Sequence, residues 1–311
     1  MTTALFTHPD CLAHVTPPGH PERVARLETV LARLRGPDFA ALDRREAPRA
    51  PRDALVALHG EDHVAAIEAA IPGHGFASLD ADTFASPGSL DAARRAAGAA
   101  IAAVDAVMAG EAARAFCAIR PPGHHAERER AMGFCLFGNV ALAARHALDA
   151  HGLSRVAIVD FDVHHGNGTQ DLVWTEDRVL FASTHQMPLY PGTGARTERG
   201  AHDNVLNLPL AAGTDGPAWR ALVEAELLPA LERFAPELVL VSAGFDAHRA
   251  DPLAGIALEA GDFGWITARL AEIATRHGGG RLVSCLEGGY DLDALAESVA
   301  AHVTALMGRN G

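Results

Sequence analysis

The stretch DFDVHHGNGTQD, residues 160–171, follows the apolar run RVAIV (155–159) and holds three acidic residues and two histidines. A run rich in β-branched residues that stops at polar residues predicts a buried strand whose end leaves the core. If the chain stays extended, Asp160, Asp162 and His164 point to the same side, because strand side chains alternate. The stretch therefore predicts a core strand that ends at a charged pocket.

The rest of the chain repeats this plan of strand, polar segment and helix. Apolar runs alternate with alanine- and leucine-rich stretches of helical periodicity, several of which end in glycine or proline. The predicted strands are 113–120, 155–162, 178–184, 204–210, 238–245 and 281–288, and the predicted helices are 138–152, 216–236 and 261–279. This alternation predicts an α/β fold with a mostly parallel central sheet flanked by helices.

Polar segments follow five of the predicted strands directly. They are PPGHHAE (121–127), VHHGNGTQD (163–171), HQMPLYPGTG (185–194), DAHRADP (246–252) and GYD (289–291). The strands of a parallel sheet all end at one edge, and α/β folds place their ligand site there. We therefore expect an active site at the carboxyl ends of the strands.

Composition limits the class of protein. The chain has 311 residues, 49% of them hydrophobic, and a net charge of −13, which predicts one domain over residues 1–311. No apolar run approaches the ~20 residues that span a membrane, and no signal-peptide pattern is present, so we expect a cytoplasmic location. The acidic balance without a basic block argues against nucleic acid as a partner. The four cysteines lack CxxC spacing, which disfavours a thiolate zinc site.

The polar segments contain the residue types of a catalytic metal site. Asp162 and His164 form a plausible pair of ligands, and Asp246, after another predicted strand, could supply the third. Two carboxylates and one imidazole leave a coordination position open for water, as catalytic zinc sites require. This set is richer in oxygen than the common zinc triads, so Fe²⁺ and Co²⁺ are alternatives to Zn²⁺.

Residues for proton transfer lie in the same segments. His124 and His125 follow the stiff Pro121-Pro122-Gly123 sequence, and a neutral imidazole there could take a proton from a metal-bound water. Their orienting partners are expected from Asp160 and Asn167. Tyr290, between glycines and Asp291, could donate a hydrogen bond to a developing oxyanion.

Together these motifs resemble the histone deacetylase superfamily, which has the arginase–deacetylase fold. The motifs are GHPERVARL (19–27), DADTFASPGS (80–89), RPPGHHAERERAMGFCLFGN (120–139), DFDVHHGNGTQD (160–171), STHQMPLYPGTG (183–194), SAGFDAHRADPLAG (242–255) and LEGGYD (286–291). The sequences HPERVARL and YPGTG, together with Asn167, indicate the class II-like branch that includes bacterial acetoin-utilisation-type proteins. The resemblance implies a single-domain, zinc-dependent deacetylase.

The resemblance also implies a role for individual residues. The zinc ligands would be Asp162, His164 and Asp246; the electrostatic histidine would be His124 with Asp160; the general base and acid would be His125 beside Asn167; and the carbonyl-polarising phenol would be Tyr290. The substrate tunnel would include Pro122, Gly133, Phe134, Tyr190, Leu253 and Gly289, although the family's second aromatic wall has no certain match in the loop of Met187, Leu189 and Tyr190. A structural potassium ion would lie near Asp160, Asp162, His164, Ser183 and Thr184.

The implied reaction cleaves the acetyl amide of a lysine side chain, or of a similar small amine, into acetate and a free amine. An arginase-like manganese pair is disfavoured because Gly166 and Ala247 stand where further ligands would follow. A non-catalytic acyl-binding module is disfavoured because Tyr290 is present. An acetylpolyamine amidohydrolase is the second choice. Polyamine-selective relatives can carry an acidic residue at the tunnel mouth, and the uncharged Leu253 at the matching position argues against that substrate. The physiological substrate, the acyl-chain length, the native metal and a homo-oligomeric state stay open.

Overall fold

A computed structural model describes residues 2–309 and contains an eight-stranded sheet with a small separate hairpin. The strands are β1 (Thr3–Thr7), β2 (Asp43–Glu46), β3 (Ala77–Ser78), β4 (Phe84–Ala85), β5 (Arg114–Cys117), β6 (Val156–Asp160), β7 (Val179–Gln186), β8 (Val205–Leu210), β9 (Leu238–Ala243) and β10 (Leu282–Leu286). The order in the large sheet is β2-β1-β5-β10-β9-β6-β7-β8, and every adjacent pair is parallel. The predicted α/β fold with a mostly parallel sheet is confirmed.

Helices connect the strands and cover the sheet. They are α1 (Val24–Leu34), α2 (Arg52–His59), α3 (Glu61–Ala70), α4 (Ser89–Met108), α5 (Asn139–Asp149), α6 (Asn167–Val173), α7 (Gly216–Leu222), α8 (Leu228–Phe234), α9 (Ala260–His277) and α10 (Leu292–Leu306). The helix predicted over 216–236 contains a π turn, Val223–Leu227, just before Pro229, which cannot donate a helical hydrogen bond. Among residues 2–309, no helix is both long and apolar enough to cross a membrane.

Central and edge strands differ in burial, and this explains which strands the sequence predicts. Every residue of β5, β6, β9 and β10 is buried, as expected for parallel strands covered on both faces. The edge strand β2 has the sequence DRRE and alternates between half-buried and exposed positions. Its charges suit an edge but give no apolar strand pattern, so β2 is absent from the predicted strands.

The strand order brings distant segments together at one edge. The last strand in sequence, β10, lies between β5 and β9, and β9 lies beside β6. The ends of β5, β10, β9, β6 and β7 are therefore neighbours, across roughly 20 Å at ~4.8 Å per strand. The polar segments that follow these strands all emerge along this edge.

Candidate active site

The three predicted metal-ligand side chains meet where β6 and β9 end. Nδ1 of His164 lies 3.1 Å from Oδ1 of Asp162 and 3.1 Å from Oδ2 of Asp246. The donor atoms of the three residues lie within 4.8 Å of one another, and all three are buried. One imidazole nitrogen thus faces two carboxylates that have no exposure to solvent.

This donor set fits a divalent cation. The Nδ1 proton of His164 can neutralise only one of the two buried carboxylates. Burial and the neighbouring charge of Asp162 raise the pKa of Asp246 to about 7. Burial alone would lower the pKa of His164, but its bonds with Asp162 and Asp246 raise it to about 10. Both shifts reflect an excess of negative charge, which an ion with oxygen and nitrogen ligands would relieve.

Backbone amides hold the two carboxylates in position. Val163 N–H donates to Oδ1 of Asp246 over 2.8 Å, and Gly288 N–H donates to Oδ2 of Asp162 over 2.8 Å. Any side chain at Gly288 would collide with both carboxylates, so the close approach of this backbone requires glycine. The ends of β6, β9 and β10 are thereby tied together around the ligand set.

His124 lies beside the ligand set as a cation. Its Nδ1 lies 3.0 Å from Oδ2 of Asp160, and its Nε2 lies 3.8 Å from Oδ2 of Asp162. Burial lowers the pKa of His124, but the charges of Asp162 and Asp160 outweigh burial and hold it well above the usual value. The predicted pairing of His124 with Asp160 is therefore present, with His124 protonated.

His125 differs from His124 in its hydrogen-bond partner and in its protonation state. Its Nδ1 lies 2.7 Å from Oδ1 of Asn167, whose Nδ2 donates to Oε1 of Glu127 over 2.7 Å. This second bond fixes the orientation of the Asn167 amide, so Nδ1 of His125 carries the hydrogen and Nε2 keeps its lone pair. Burial, followed by the charges of His124 and His164, lowers the pKa of His125 well below its usual value. Among these residues, His125 is the neutral imidazole with a free nitrogen lone pair.

Tyr290 follows β10 and is buried beside an arginine. Its backbone N–H donates to Oδ2 of Asp251 over 2.7 Å, and the guanidinium carbon of Arg26 lies 4.8 Å from its ring centre. Burial raises the pKa of the Tyr290 phenol well above its usual value, so the hydroxyl keeps its proton. A protonated phenol can donate a hydrogen bond but cannot act as a base at neutral pH.

Two aromatic rings pack against His125 and Tyr290. The ring of Tyr190 meets His125 edge-on with a centroid separation of 5.2 Å, and the ring of Phe134 meets Tyr290 at 6.0 Å. Gly133 and Phe134 both have positive φ, and a side chain at Gly133 would overlap the His125 ring. Tyr190, whose place in the tunnel had no certain sequence match, therefore lies next to His125.

The other predicted tunnel residues are less directly connected to the site. Pro122 is buried two residues before His124. The Gly289 carbonyl accepts a hydrogen bond from Nε of Arg26 over 2.5 Å. Leu253 is half-buried, and its N–H donates to Asp251, the residue that also holds Tyr290.

The predicted potassium-binding residues lie at and just beyond the end of β6 and within β7. The strand register pairs Asp160 with Ser183, and both Ser183 and Thr184 are buried. The Ser183 hydroxyl is engaged with Nδ1 of His185 at 2.8 Å, and the Thr184 hydroxyl accepts from Nε1 of Trp219 at 3.1 Å. Because both hydroxyls have protein partners, a cation there would rely chiefly on backbone oxygens.

Sequence reasoning missed Glu287, a fully buried acid behind the histidine pair. Its Oε2 accepts from the backbone N–H groups of Gly123 and His124 over 2.6 and 3.2 Å. Its Oε1 accepts from the Ser242 hydroxyl over 3.2 Å. The available signal was an acid directly after an apolar strand, the same pattern that identified Asp160.

The DADTF segment was quoted as a motif, but no role was predicted for it. Oδ1 of Asp82 accepts from the N–H of Gly133 over 3.2 Å, and Oγ1 of Thr83 accepts from the N–H of Phe134 over 3.0 Å. These bonds hold the strained turn that presents the Phe134 ring. Sequence spacing gives no signal for this contact, because about fifty residues separate the partners.

Comparisons with known proteins agree with this geometry. Residues 20–306 match the family model described as the histone deacetylase domain. An uncharacterised protein of Synechocystis sp. is 44% identical over 98% of this chain and 99% of its own length. The histone deacetylase-like amidohydrolase of Pseudomonas aeruginosa is 45% identical over 81% of this chain and 67% of its own length.

A solved structure extends the agreement to the whole fold. The crystal structure of the HDA15 HD domain superposes with a TM-score of 0.94 at 33% sequence identity. The match covers 99% of this chain and 88% of that domain.

Proposed function

Because the chain belongs to the histone deacetylase family, we propose that it is a zinc-dependent deacetylase that releases acetate from an acylated lysine or a similar amine. The observation that carries the proposal is the neutral His125 imidazole, held by Asn167 beside the buried set of Asp162, His164 and Asp246. That arrangement places a proton acceptor beside a cation-binding cluster, and metal-dependent amide hydrolysis requires both. We extend the proposal to residues 1–311 as one catalytic domain.

A divalent ion held by Asp162, His164 and Asp246 would supply Lewis-acid polarisation of the amide carbonyl and of the attacking water. His125 takes the proton of that water at Nε2, because its Nδ1 is committed to Asn167. The hydroxyl of Tyr290 donates a hydrogen bond to the oxyanion that develops as water adds to the carbonyl. These steps use the protonation states that burial and hydrogen bonding support.

The collapse of the adduct completes the reaction. The C–N bond breaks, a protonated histidine gives its proton to the departing nitrogen, and acetate and a free amine result. His124, protonated beside Asp160, contributes positive charge next to the reacting groups throughout. Zn²⁺ is the proposed metal, with Fe²⁺ and Co²⁺ as alternatives for a site with two carboxylates. A structural potassium ion near Ser183 is part of the same proposal.

Acyl-lysine is the proposed substrate class, and acetylpolyamine is the alternative. Phe134 and Tyr190 suit an extended aliphatic chain, because their rings pack edge-on against Tyr290 and His125 and would line the path of such a chain to these residues. Asp82, hydrogen-bonded to Gly133, is the observation that favours the alternative, since a rim carboxylate could meet a secondary ammonium.

The test is turnover of acetyl-lysine peptides, acetylpolyamines and longer acyl-lysines by the purified chain. Chelation should abolish turnover, and Zn²⁺, Fe²⁺ or Co²⁺ added back singly should restore it to an extent that ranks the metals. Higher kcat/KM for acetylpolyamines than for peptides would replace the proposed substrate class by the alternative. No turnover of any acylated amine by zinc-loaded protein would instead indicate an acyl-binding protein.

A further inference from the structure

A second cluster of metal-binding side chains lies on the surface, formed by Asp105, His146 and His151. Nε2 of His146 and Nε2 of His151 lie 2.6 and 2.7 Å from the same atom, Oδ1 of Asp105. The two imidazole rings are nearly perpendicular, at 81°, with centroids 5.3 Å apart. Two imidazole nitrogens thus converge on one carboxylate oxygen, and the three donor atoms lie within 4.8 Å of one another.

The cluster is held by two helices and a defined turn. Asp105 lies on α4, His146 lies near the end of α5, and His151 follows α5. Gly152 takes a positive φ, and Leu153 is buried with its N–H bonded to the Ala147 carbonyl over 3.2 Å. This turn returns His151 towards His146, so the convergence does not depend on a free loop.

The geometry needs only a small adjustment to coordinate an ion. Zinc bonds to nitrogen and oxygen of ~2.0–2.1 Å place tetrahedral ligands about 3.3 Å apart, roughly 0.6 Å more than the separations seen here. The Asp105 side chain is 52% exposed, so its carboxylate can rotate outward by that amount. Each histidine side chain is 25% exposed, which leaves a coordination position for water.

We propose that Asp105, His146 and His151 form a second metal site, which binds one divalent metal ion of the zinc type. The bound ion would link α4 to the turn between α5 and β6. Two imidazoles and one carboxylate suit Zn²⁺, Ni²⁺, Cu²⁺ or Co²⁺ better than Ca²⁺ or Mg²⁺, which prefer oxygen ligands. The site serves structure and not chemistry. It lies at the far end of α5 from His125, roughly 16 Å along an eleven-residue helix.

The test is the zinc content of the holoenzyme and of matched variants after equilibrium dialysis against buffered free Zn²⁺. We expect about two equivalents per wild-type chain and about one in His146→Gln, His151→Gln and Asp105→Asn. The control is His277→Gln, which breaks another surface histidine–carboxylate pair, with Glu232 at 2.6 Å, and should retain both equivalents. The difference between wild type and variants isolates this site from the ion at the strand ends.

Thermal unfolding gives an independent reading, because an ion that binds only the folded state raises the melting temperature. Zinc should raise the melting temperature of wild type and His277→Gln more than that of His151→Gln, with deacetylase activity equal in all three. A single equivalent in saturated wild type would overturn the proposal, as would a second equivalent that survives in His146→Gln and His151→Gln. Loss of the second equivalent in His277→Gln would also overturn it.

Discussion

Two clusters of buried charge lie at the same edge of the sheet and differ in how their charge is balanced. In the first, the arginine cluster, Glu22 lies between Arg26 and Arg120, and none of the three side chains is exposed. Oε1 of Glu22 accepts from Arg26 over 3.0 Å, and Oε2 accepts from Arg120 over 2.7 Å. The second, the acidic centre, consists of Asp160, Asp162, His164 and Asp246.

The guanidinium groups of the arginine cluster find their hydrogen-bond partners within the protein. Remaining N–H groups of Arg26 donate to the carbonyls of Gly289 and Glu287, each over 2.5 Å, and Arg120 donates to the His14 carbonyl over 3.1 Å. The cluster therefore ties the segment before α1 to the turn that carries Tyr290. Its one excess positive charge is met by these backbone carbonyls, and none of its side chains is exposed to solvent, so its role is structural.

In the acidic centre the excess charge is negative. Its carboxylates outnumber the cations beside them, and the exposed ring of Tyr190 packs edge-on against His164, one of its members. Buried charges whose hydrogen bonds are all made within the protein hold a structure together, whereas buried carboxylates in excess of their cationic partners favour a bound cation and reactivity. The predictions below test this contrast.

The largest effect is expected from His125→Ala. This change removes the proposed base and should reduce kcat by up to about 10⁴-fold, because His125 has no substitute with a free Nε2 beside the ligand set. Zinc content should stay at the wild-type value, measured by metal analysis of the assayed sample. Loss of zinc from this variant would show that His125 is a metal ligand and not the base. Asp162→Ala, which removes a proposed ligand, is the control variant expected to lose metal.

Tyr290→Phe should lower kcat by about 10²–10³-fold with a KM within a few-fold of wild type. The change deletes one hydroxyl that acts on the developing oxyanion, and the ring keeps its contacts with Arg26 and Phe134. The matched control is Tyr190→Phe, which removes the chain's only other phenol hydroxyl and should affect kcat far less. Steady-state kinetics that retain more than half of kcat in Tyr290→Phe would exclude the phenol as oxyanion donor.

Glu22→Gln should destabilise the fold by about 3–5 kcal/mol, because it leaves two buried guanidinium groups without their carboxylate. Urea unfolding measures this loss, and Glu226→Gln, which breaks the surface pair with Arg196, is the control with a loss of at most ~1 kcal/mol. A loss no larger than that of the control would show that the arginine cluster does not stabilise the protein.

The stability lost in Glu22→Gln should depend on pH. Burial alone would raise the pKa of Glu22, but Arg120, His14 and Arg26 outweigh burial and lower it well below the usual value. A carboxyl with a depressed folded-state pKa contributes stability that is complete above the unfolded value of ~4.3 and is lost as pH falls through the folded value. The difference in unfolding free energy between wild type and Glu22→Gln should therefore be constant near neutrality and shrink below about pH 4. A difference that grows in acid would contradict this assignment.

The smallest effect is expected at Glu287, which positions the histidine pair through backbone bonds. Glu287→Gln can still present an oxygen to Gly123 and His124 and an amide to Ser242, so kcat should stay within about tenfold of wild type. Glu287→Ala leaves two buried N–H groups unpaired and should cost about 10–100-fold, as losses of outer-shell partners do. If both variants lose kcat equally, the charge of Glu287 matters and a purely positional role is wrong.

Local sequence patterns predicted most of the sheet and the meeting of Asp162, His164 and Asp246 at its edge. All six predicted strands are present, because buried parallel strands have continuous apolar runs that polar segments interrupt at the active edge. Proximity of the ligand set also followed from sequence, since the ends of parallel strands share an edge. Strand β1 and the charged edge strand β2 escaped prediction; β2 gives no apolar pattern.

Only the tertiary structure decided which side chains meet and in what protonation state. The position of β10 between β5 and β9 brings Tyr290 and Glu287 to residues more than 120 positions away, and strand order leaves no trace in local periodicity. His124 and His125 are adjacent in sequence, yet one is a cation beside Asp160 and the other a neutral imidazole beside Asn167. Sequence supplied the residue types, but the partner across the fold determines the pKa, because buried charge depends on what lies within a few ångströms.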